Sequence, residues 1–215
     1  MYEFIDNIKD QFFKNERIIE MSQVAREHNF RFIKNESFKS QRYELKAFDL
    51  FSSKKRKRKL KAVFHFQNDI ASLKTRIYDH FEYSDSGIKE TTVYEIWHEE
   101  FDFPKFQIRP RNTFDKMKSI FVTTEPIYAE LSDFHNKFDI ETNQASELLY
   151  ELNEDMLLHL LGRTEYRLEG HGKYLIFYRK NKQTPINDLM IEYDFAIQLV
   201  DLFFNGNNQS VKGFV

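Results

Sequence analysis

The sequence predicts an α+β domain in which antiparallel sheets of successive hairpins pack against N-terminal, middle and C-terminal helices. Three observations predict it. The 215 residues include 23 Phe and 11 Tyr, aromatic side chains that favour pleated surfaces and bury large areas. Apolar and polar residues alternate at period two through much of 43–111, whereas the two ends of the chain repeat at helical period. The segments run helix, several strands, then helices interleaved with strands, which is not the strict alternation of a doubly wound fold.

At the N-terminus Phe4, Ile5, Ile8 and Phe12, then Ile18, Met21, Ala25 and His28, are spaced for one long or two short amphipathic helices. Residues 1–42 read as this helical segment with a lead-in strand. Tyr43, Leu45 and Ala47 alternate with polar residues. Beyond the cluster Ser52-Ser-Lys-Lys-Arg-Lys-Arg-Lys59, Leu60, Ala62, Phe64 and Phe66 alternate with Lys61, Val63 and His65. The two stretches together predict a hairpin with a basic tip.

A second hairpin follows, Arg76 to Tyr83 and Glu90 to Trp97, with Gly87 supplying a permissive turn after Ser84-Asp-Ser. Pro104 and Pro110 each lack a ladder donor, so Phe103 to Arg111 reads as an edge segment. Asn112 or Thr113 caps a short helix carrying Phe114, Met117 and Phe121. Phe134, Asn136, Phe138 and Ile140 suggest a further strand. Ala145, Leu148, Leu149, Leu152, Met156, His159 and Leu160 fall on one helical stripe that ends at Gly162.

Two strands, Thr164 to Glu169 and Lys173 to Arg179, are joined by Gly170-His-Gly172. In the last helix Thr184 is the N-cap and Pro185 the first position, and Ile186, Leu189, Met190, Tyr193, Ile197, Val200 and Phe204 repeat with helical period. Residues 43–204 are expected to form the α+β domain and 205–215, rich in Asn and Gly, a flexible tail. One continuous globular unit is expected, with the loop Val122 to Pro126 as the candidate division.

The 32 basic and 34 acidic residues leave a formal net charge of -2, so no chain-wide field draws in nucleic acid or membrane. The absence of cysteine removes disulfides, thiolate nucleophiles and Cys-based metal sites, and fits a reducing, cytoplasmic setting. Residues 1–29 lack the uninterrupted apolar run of a signal peptide or spanning helix. The chain as written is therefore expected to be soluble, in the cytoplasm or peripheral to the membrane.

Arg167-Leu-Glu-Gly-His-Gly-Lys-Tyr-Leu-Ile-Phe-Tyr-Arg179 is preceded by Asp79-His-Phe-Glu-Tyr83, by Ser86-Gly87 with Thr91-Thr-Val93, and by Pro104-Lys-Phe-Gln-Ile-Arg-Pro110. Together these resemble a family of uncharacterised bacterial proteins. In that family a Tyr-rich strand, a Ser-Gly turn, a Thr-Val return strand and a Pro-Phe-Arg-Pro element precede a Glu-Gly-Gly-Tyr-type hairpin. The resemblance covers about Tyr43 to Phe204. It implies a domain of unknown function, in relatives often preceded by membrane-spanning helices, and its motifs look structural. This chain departs from the pattern in lacking such helices and in carrying Asp139-Ile-Glu-Thr-Asn143 where a glycine-containing turn is usual.

The sharpest local signal is the basic run Lys54, Lys55, Arg56, Lys57, Arg58, Lys59 and Lys61, seven cations among eight residues. It reads either as a solvated hairpin tip or as an anion-binding site for acidic lipid or nucleic acid. His80 and His98 lie at similar distances from the second turn. With Asp79 and Glu99 they are a candidate metal set, against the plainer reading of cross-strand polar pairing. His159 reads as a partly buried core histidine, and Trp97 as a core residue or a partner anchor.

No phosphate loop or nucleophile elbow occurs, and no cofactor is called for. Three functions remain. The first is a non-enzymatic bacterial interaction or scaffolding domain with a protein partner or with itself. The second is an anion-binding module acting through the basic run, and the third is an enzyme without a recognisable motif.

Overall fold

The structure, a computed structural model, describes residues 16–36, 43–52, 57–68, 73–85, 87–111 and 132–212, with 43–44, 57, 67–68, 149–150 and 205–212 described by backbone alone. Helix α1 runs through 16–27. It stops at Asn29, whose φ of 60° is left-handed. There Phe30 N–H reaches Ala25 O at 2.7 Å and Asn29 N–H reaches Arg26 O at 3.3 Å, the paired closure in which Asn is among the few residues to tolerate that backbone.

The strands are β1 (Arg31–Glu36), β2 (Lys57–Asn68), β3 (Leu73–Ser84), β4 (Gly87–His98), β5 (Phe103–Pro110), β6 (Phe138–Thr142), β7 (Arg167–Gly172) and β8 (Tyr174–Tyr178). They form one eight-stranded sheet in the order β1-β2-β3-β4-β8-β7-β5-β6, with every neighbouring pair antiparallel. Helices α2 (Ser132–Lys137), α3 (Ala145–Glu151), α4 (Glu154–Leu160) and α5 (Leu189–Lys212) complete the described fold. The α+β class, with an antiparallel sheet packed against helices, is the one the sequence predicts.

Alternation along the strands builds two cores. The larger joins Phe64, Ile77, Tyr94, Phe106, Leu168 and Phe177 of the sheet to Met21 and Ala25 of α1, Met156 and Leu160 of α4, and Leu189, Phe195, Leu199 and Phe203 of α5. The smaller, on the opposite face, gathers Leu60, Val63, Tyr78, Val93, Tyr174, Ile176 and Tyr178 beneath Leu45, Phe48 and Phe51.

Several local expectations are corrected. Tyr43–Ala47 is a 3-10 turn, not a strand, and it serves as the lid of the smaller core. β2 pairs with β1 and β3 instead. Its alternation is interrupted at Ala62, where φ is 50° and the register with β3 shifts between Lys61 and Phe64. That bulge sends Leu60 to the smaller core and Phe64 to the larger.

β5 is not an edge, since it lies between β7 and β6. Pro104 falls where the β5–β7 register is irregular and before the β5–β6 ladder begins at Phe106, so its missing donor removes no regular bond. Phe134 and Asn136 lie in α2, and the strand starts at Phe138.

The single stripe from 145 to 160 is two helices. They break where the Asn153 side chain accepts from Met156 N–H at 2.9 Å to cap α4, and Gly162 lies inside a following 3-10 turn. Gly170 belongs to β7, and the turn sits at Gly172 and Lys173. Thr184 and Pro185 precede a 3-10 turn, after which α5 continues through Lys212, beyond the expected end near 204. The proposed short helix at 112–121 and the division at 122–126 lie outside the described residues, as do 213–215.

Candidate ligand-binding cleft

The basic run does not form a hairpin tip where it is described. Lys54, Lys55 and Arg56 lie outside the described residues, while Lys57, Arg58, Lys59 and Lys61 belong to β2. Alternation sets Arg58 on one face and Lys59 and Lys61 on the other. Lys59 Nζ lies 5.6 Å from the Tyr83 ring centroid and Lys61 Nζ 4.7 Å from that of Phe81, whereas Arg58 is in register with Glu82 and acts electrostatically on His80.

On the smaller-core face, beside the lid, lies a cleft of about 410 Å³ lined by Asp49, Leu50, Ser52, His80, Glu82, Lys89, Thr91, Arg167, Tyr178, Lys180 and Asn181. Four parts of the fold bring these together. The β3–β4 hairpin sets His80 opposite Thr91 and Glu82 opposite Lys89. Arg167 at the start of β7 faces Tyr178 at the end of β8. The turn after β8 folds over β4, with Asn181 N–H reaching Thr91 Oγ1 at 3.1 Å and Thr92 N–H reaching Lys182 O at 3.2 Å. Asn181 takes a left-handed φ of 56° to make that turn. The 3-10 segment around Asp49 supplies the fourth wall.

The charges in the cleft are unequal. Asp49 is bound to Lys105 at 3.1 Å, and Glu82 stands in register between Arg58 and Lys89. Lys89, Arg167 and Lys180 form no ion pair with a described residue. Arg17, Arg76, Arg109, Arg111, Arg163 and Arg179 each do. Burial pulls the Lys180 ammonium down, and the nearby Arg167 and Lys89 add to the effect. His80 is pulled down to about 4, by burial first and then by Arg58, so at pH 7 it is a neutral floor group whose ring meets Phe51 edge-on at 5.1 Å.

Beneath the cleft, Glu169 is 1% exposed. Its Oε1 accepts from Tyr178 O–H and from Gln107 Nε2 at 3.0 Å, and its Oε2 from Asp49 N–H at 2.6 Å. Burial pushes this carboxyl up against the opposing pull of those hydrogen bonds. Both oxygens are thus occupied from within, which fits a post that holds the lid rather than a proton donor to a substrate. A second buried acid, Glu95, accepts from Tyr78 O–H at 2.9 Å and from Arg76 at 3.2 Å. Arg76 reaches on to Glu36 at 2.8 Å. The larger-core face has its own acid, Asp79, gripped by Arg17.

The metal set proposed from the histidines does not assemble. His98 is opposite Leu73, and His80 is opposite Thr91. Residues 73 and 80 of one strand point to opposite faces, so His98 packs on Phe204 with ring centroids 4.5 Å apart while His80 faces Phe51. Among the described residues no group of three or more His, Cys, Asp or Glu is placed to hold a metal. His159 is a partly buried packing residue stacked on Phe195 at 4.0 Å. Trp97 lies against the smaller core with Lys74 Nζ 4.3 Å over its ring.

Sequence reasoning missed Lys89, Arg167 and Lys180. Two of them bracket the last hairpin and the third follows the Ser-Gly turn, so a signal existed in the pairing of turn-flanking cations. It carries meaning only once β8 is known to lie beside β4.

No protein-family model and no curated protein matches the chain. Among solved structures, the crystal structure of the mycobacterial trehalose monomycolate transport factor A, TtfA, has a similar fold. It superposes with a TM-score of 0.53 at 11% sequence identity, covering 86% of this chain and 91% of that one. At that identity the likeness establishes a shared fold. Among the described residues no helix is long and apolar enough to cross a membrane.

Proposed function

We propose that this chain is a non-enzymatic recognition domain that holds a polar group of a partner molecule in the cleft between the lid at 43–51 and the β4–β8 junction. The observation that carries the reading is a division of labour. The buried carboxyls Glu169 and Glu95 spend their hydrogen bonds on the protein itself, while the open cleft presents Lys89, Arg167, Lys180, Thr91 and Asn181, groups suited to binding. Its size suits a small ligand or a headgroup. The protein of similar fold is by name a transport factor, and an accessory, non-catalytic role in a bacterial cell is compatible with that and with the family resemblance.

The test is to incubate the protein with host extract, isolate it by gel filtration and identify what it retains by mass spectrometry. A compound retained unchanged by the wild type and lost in Ser52→Trp, which fills the rim, is the expected result. Conversion of the compound by the wild type overturns the non-enzymatic reading, and retention of nothing overturns the cleft.

A further inference from the structure

Taking the cleft as the binding site just described, we propose that the group it accepts is a phosphate-type anion, seated between Lys89, Arg167 and Lys180. Three observations point this way.

The first is convergence. Lys89 follows the β3–β4 turn, Arg167 opens β7 and Lys180 follows β8, yet all three line one cleft. Bringing three cations together costs electrostatic free energy that a bound anion removes. The burial and crowding that weigh on the Lys180 ammonium are the same stress seen at one of its members.

The second is the lack of a direct ion pair at Arg167 and Lys180, with Glu82 and Glu169 acting only as a partial counterweight in the Lys180 balance. The acids that line the cleft already have cationic neighbours, Asp49 in Lys105 and Glu82 in the row Arg58–Glu82–Lys89. Arg167 and Lys180 form no ion pair with a described residue, although six other arginines do. A second opening, lined by Asn29, Arg31, His65, Phe66, Lys74, Thr75 and Arg76, also has cations. There Arg76 is held by Glu36 and Glu95, and Lys74 lies on Trp97, so it offers an anion less.

The third is the set of neutral groups that join the cations in the cleft. The Thr91 hydroxyl accepts from Asn181 N–H, which leaves its proton to donate, and Ser52 and Asn181 stand on the rim. Tyr178 and His80 form the floor, and His80 stays uncharged at neutral pH. A planar guanidinium beside two ammonium groups and the Thr91 hydroxyl is a set that matches tetrahedral oxyanions, while the Ser52 and Tyr178 hydroxyls donate to Asp49 O and Glu169. The volume of about 410 Å³ exceeds one phosphate, so the anion is expected to carry a small polar scaffold such as glycerol. Free phosphoesters and phospholipid headgroups both present that chemistry.

The experiment is calorimetric titration of the full chain at low salt with inorganic phosphate and with glycerol 3-phosphate. Alongside it runs flotation with vesicles of phosphatidylglycerol in phosphatidylcholine, against phosphatidylcholine alone. The variants are Lys89→Gln, Arg167→Gln and Lys180→Gln, each checked for an unchanged melting curve. Saturable binding of a soluble phosphate that weakens about tenfold or more in Arg167→Gln and Lys180→Gln supports the proposal with a free phosphoester as the source. Binding to the anionic vesicles alone, lost in the same variants, supports it with a headgroup as the source. Binding to neither probe, or binding that the three variants leave unchanged, overturns it. If the extract experiment instead yields an uncharged compound that Ser52→Trp releases, the anion is wrong and the cleft stands.

Discussion

Arg17 grips Asp79 across 62 residues of sequence, with Nε 2.7 Å from Oδ2 and Nη2 3.1 Å from Oδ1. The same carboxylate accepts from Thr92 Oγ1 at 2.7 Å and from Gln183 Nε2 at 3.0 Å. The Thr92 hydroxyl in turn accepts from Arg17 and from Thr184 N–H. One carboxylate therefore ties α1, β3, β4 and the segment that leads into α5. Arg17 is 16% and Asp79 3% exposed at the side chain, so the pair works largely out of water.

Removing one partner of such a pair leaves a buried charge uncompensated. Arg17→Met is expected to cost about 3–5 kcal/mol of stability in urea unfolding. The double variant Arg17→Met, Asp79→Asn should recover part of that loss. A cost below about 1 kcal/mol would mean that the pair is a surface contact.

Gly170 is needed for space. A Cβ built there would stand 2.1 Å from Phe106 Cε1, and Phe106 is 2% exposed in the larger core. Gly170→Ala should destabilise by about 1–3 kcal/mol. Adding Phe106→Leu, which withdraws the ring, should restore part of it, as thermal melting of the single and double variants would show.

His80 gives the fold an acid limit. Its folded pKa of about 4 lies below the ordinary 6.5. Its contribution is therefore complete above pH 6.5 and is lost as pH falls from there toward 4, because the unfolded chain takes up a proton that the buried ring refuses. His80→Gln should flatten the fall in stability across that window, measured by urea midpoints at half-unit steps of pH. An unchanged slope would place the protonating group elsewhere.

Glu169 acts with the opposite sign. Burial holds its carboxyl above the ordinary value, so its contribution is full below the unfolded pKa of 4.5 and is lost as pH rises through the folded value. Glu169→Gln should be less stable in mild acid, where the Asp49 N–H loses an acceptor, by about 1–3 kcal/mol. It should also decline less between acid and neutral pH than the wild type does.

The parts of the fold legible in the sequence are those where one signal decides the outcome. The β3–β4 hairpin is read correctly because Gly87, at a φ of 115°, coincides with alternation on both sides. β2 is half legible, since alternation finds the strand but not the bulge at Ala62 that reassigns Leu60. β5 misleads because a proline penalty is local, whereas the position of Pro104 at an irregular ladder is a property of its neighbours. The break at Asn153 escapes the sequence reading because the apolar stripe runs straight through it, and the side-chain cap on Met156 N–H is seen only in the structure. The cleft was illegible for a different reason, because its cations come from separate turns that only the β4–β8 pairing makes adjacent.

That pairing also sets a timetable for the chain as it leaves the ribosome. The meander β1 to β4 is complete early, but β4 gains its second neighbour only when β8, made after seven of the eight strands, arrives. Until then the open rim from Val93 to Trp97 presents unpaired amides and carbonyls beside aromatic side chains, the kind of border on which foreign strands dock. Nascent chains halted before residue 174 should therefore need a holding chaperone, and those released after it should not.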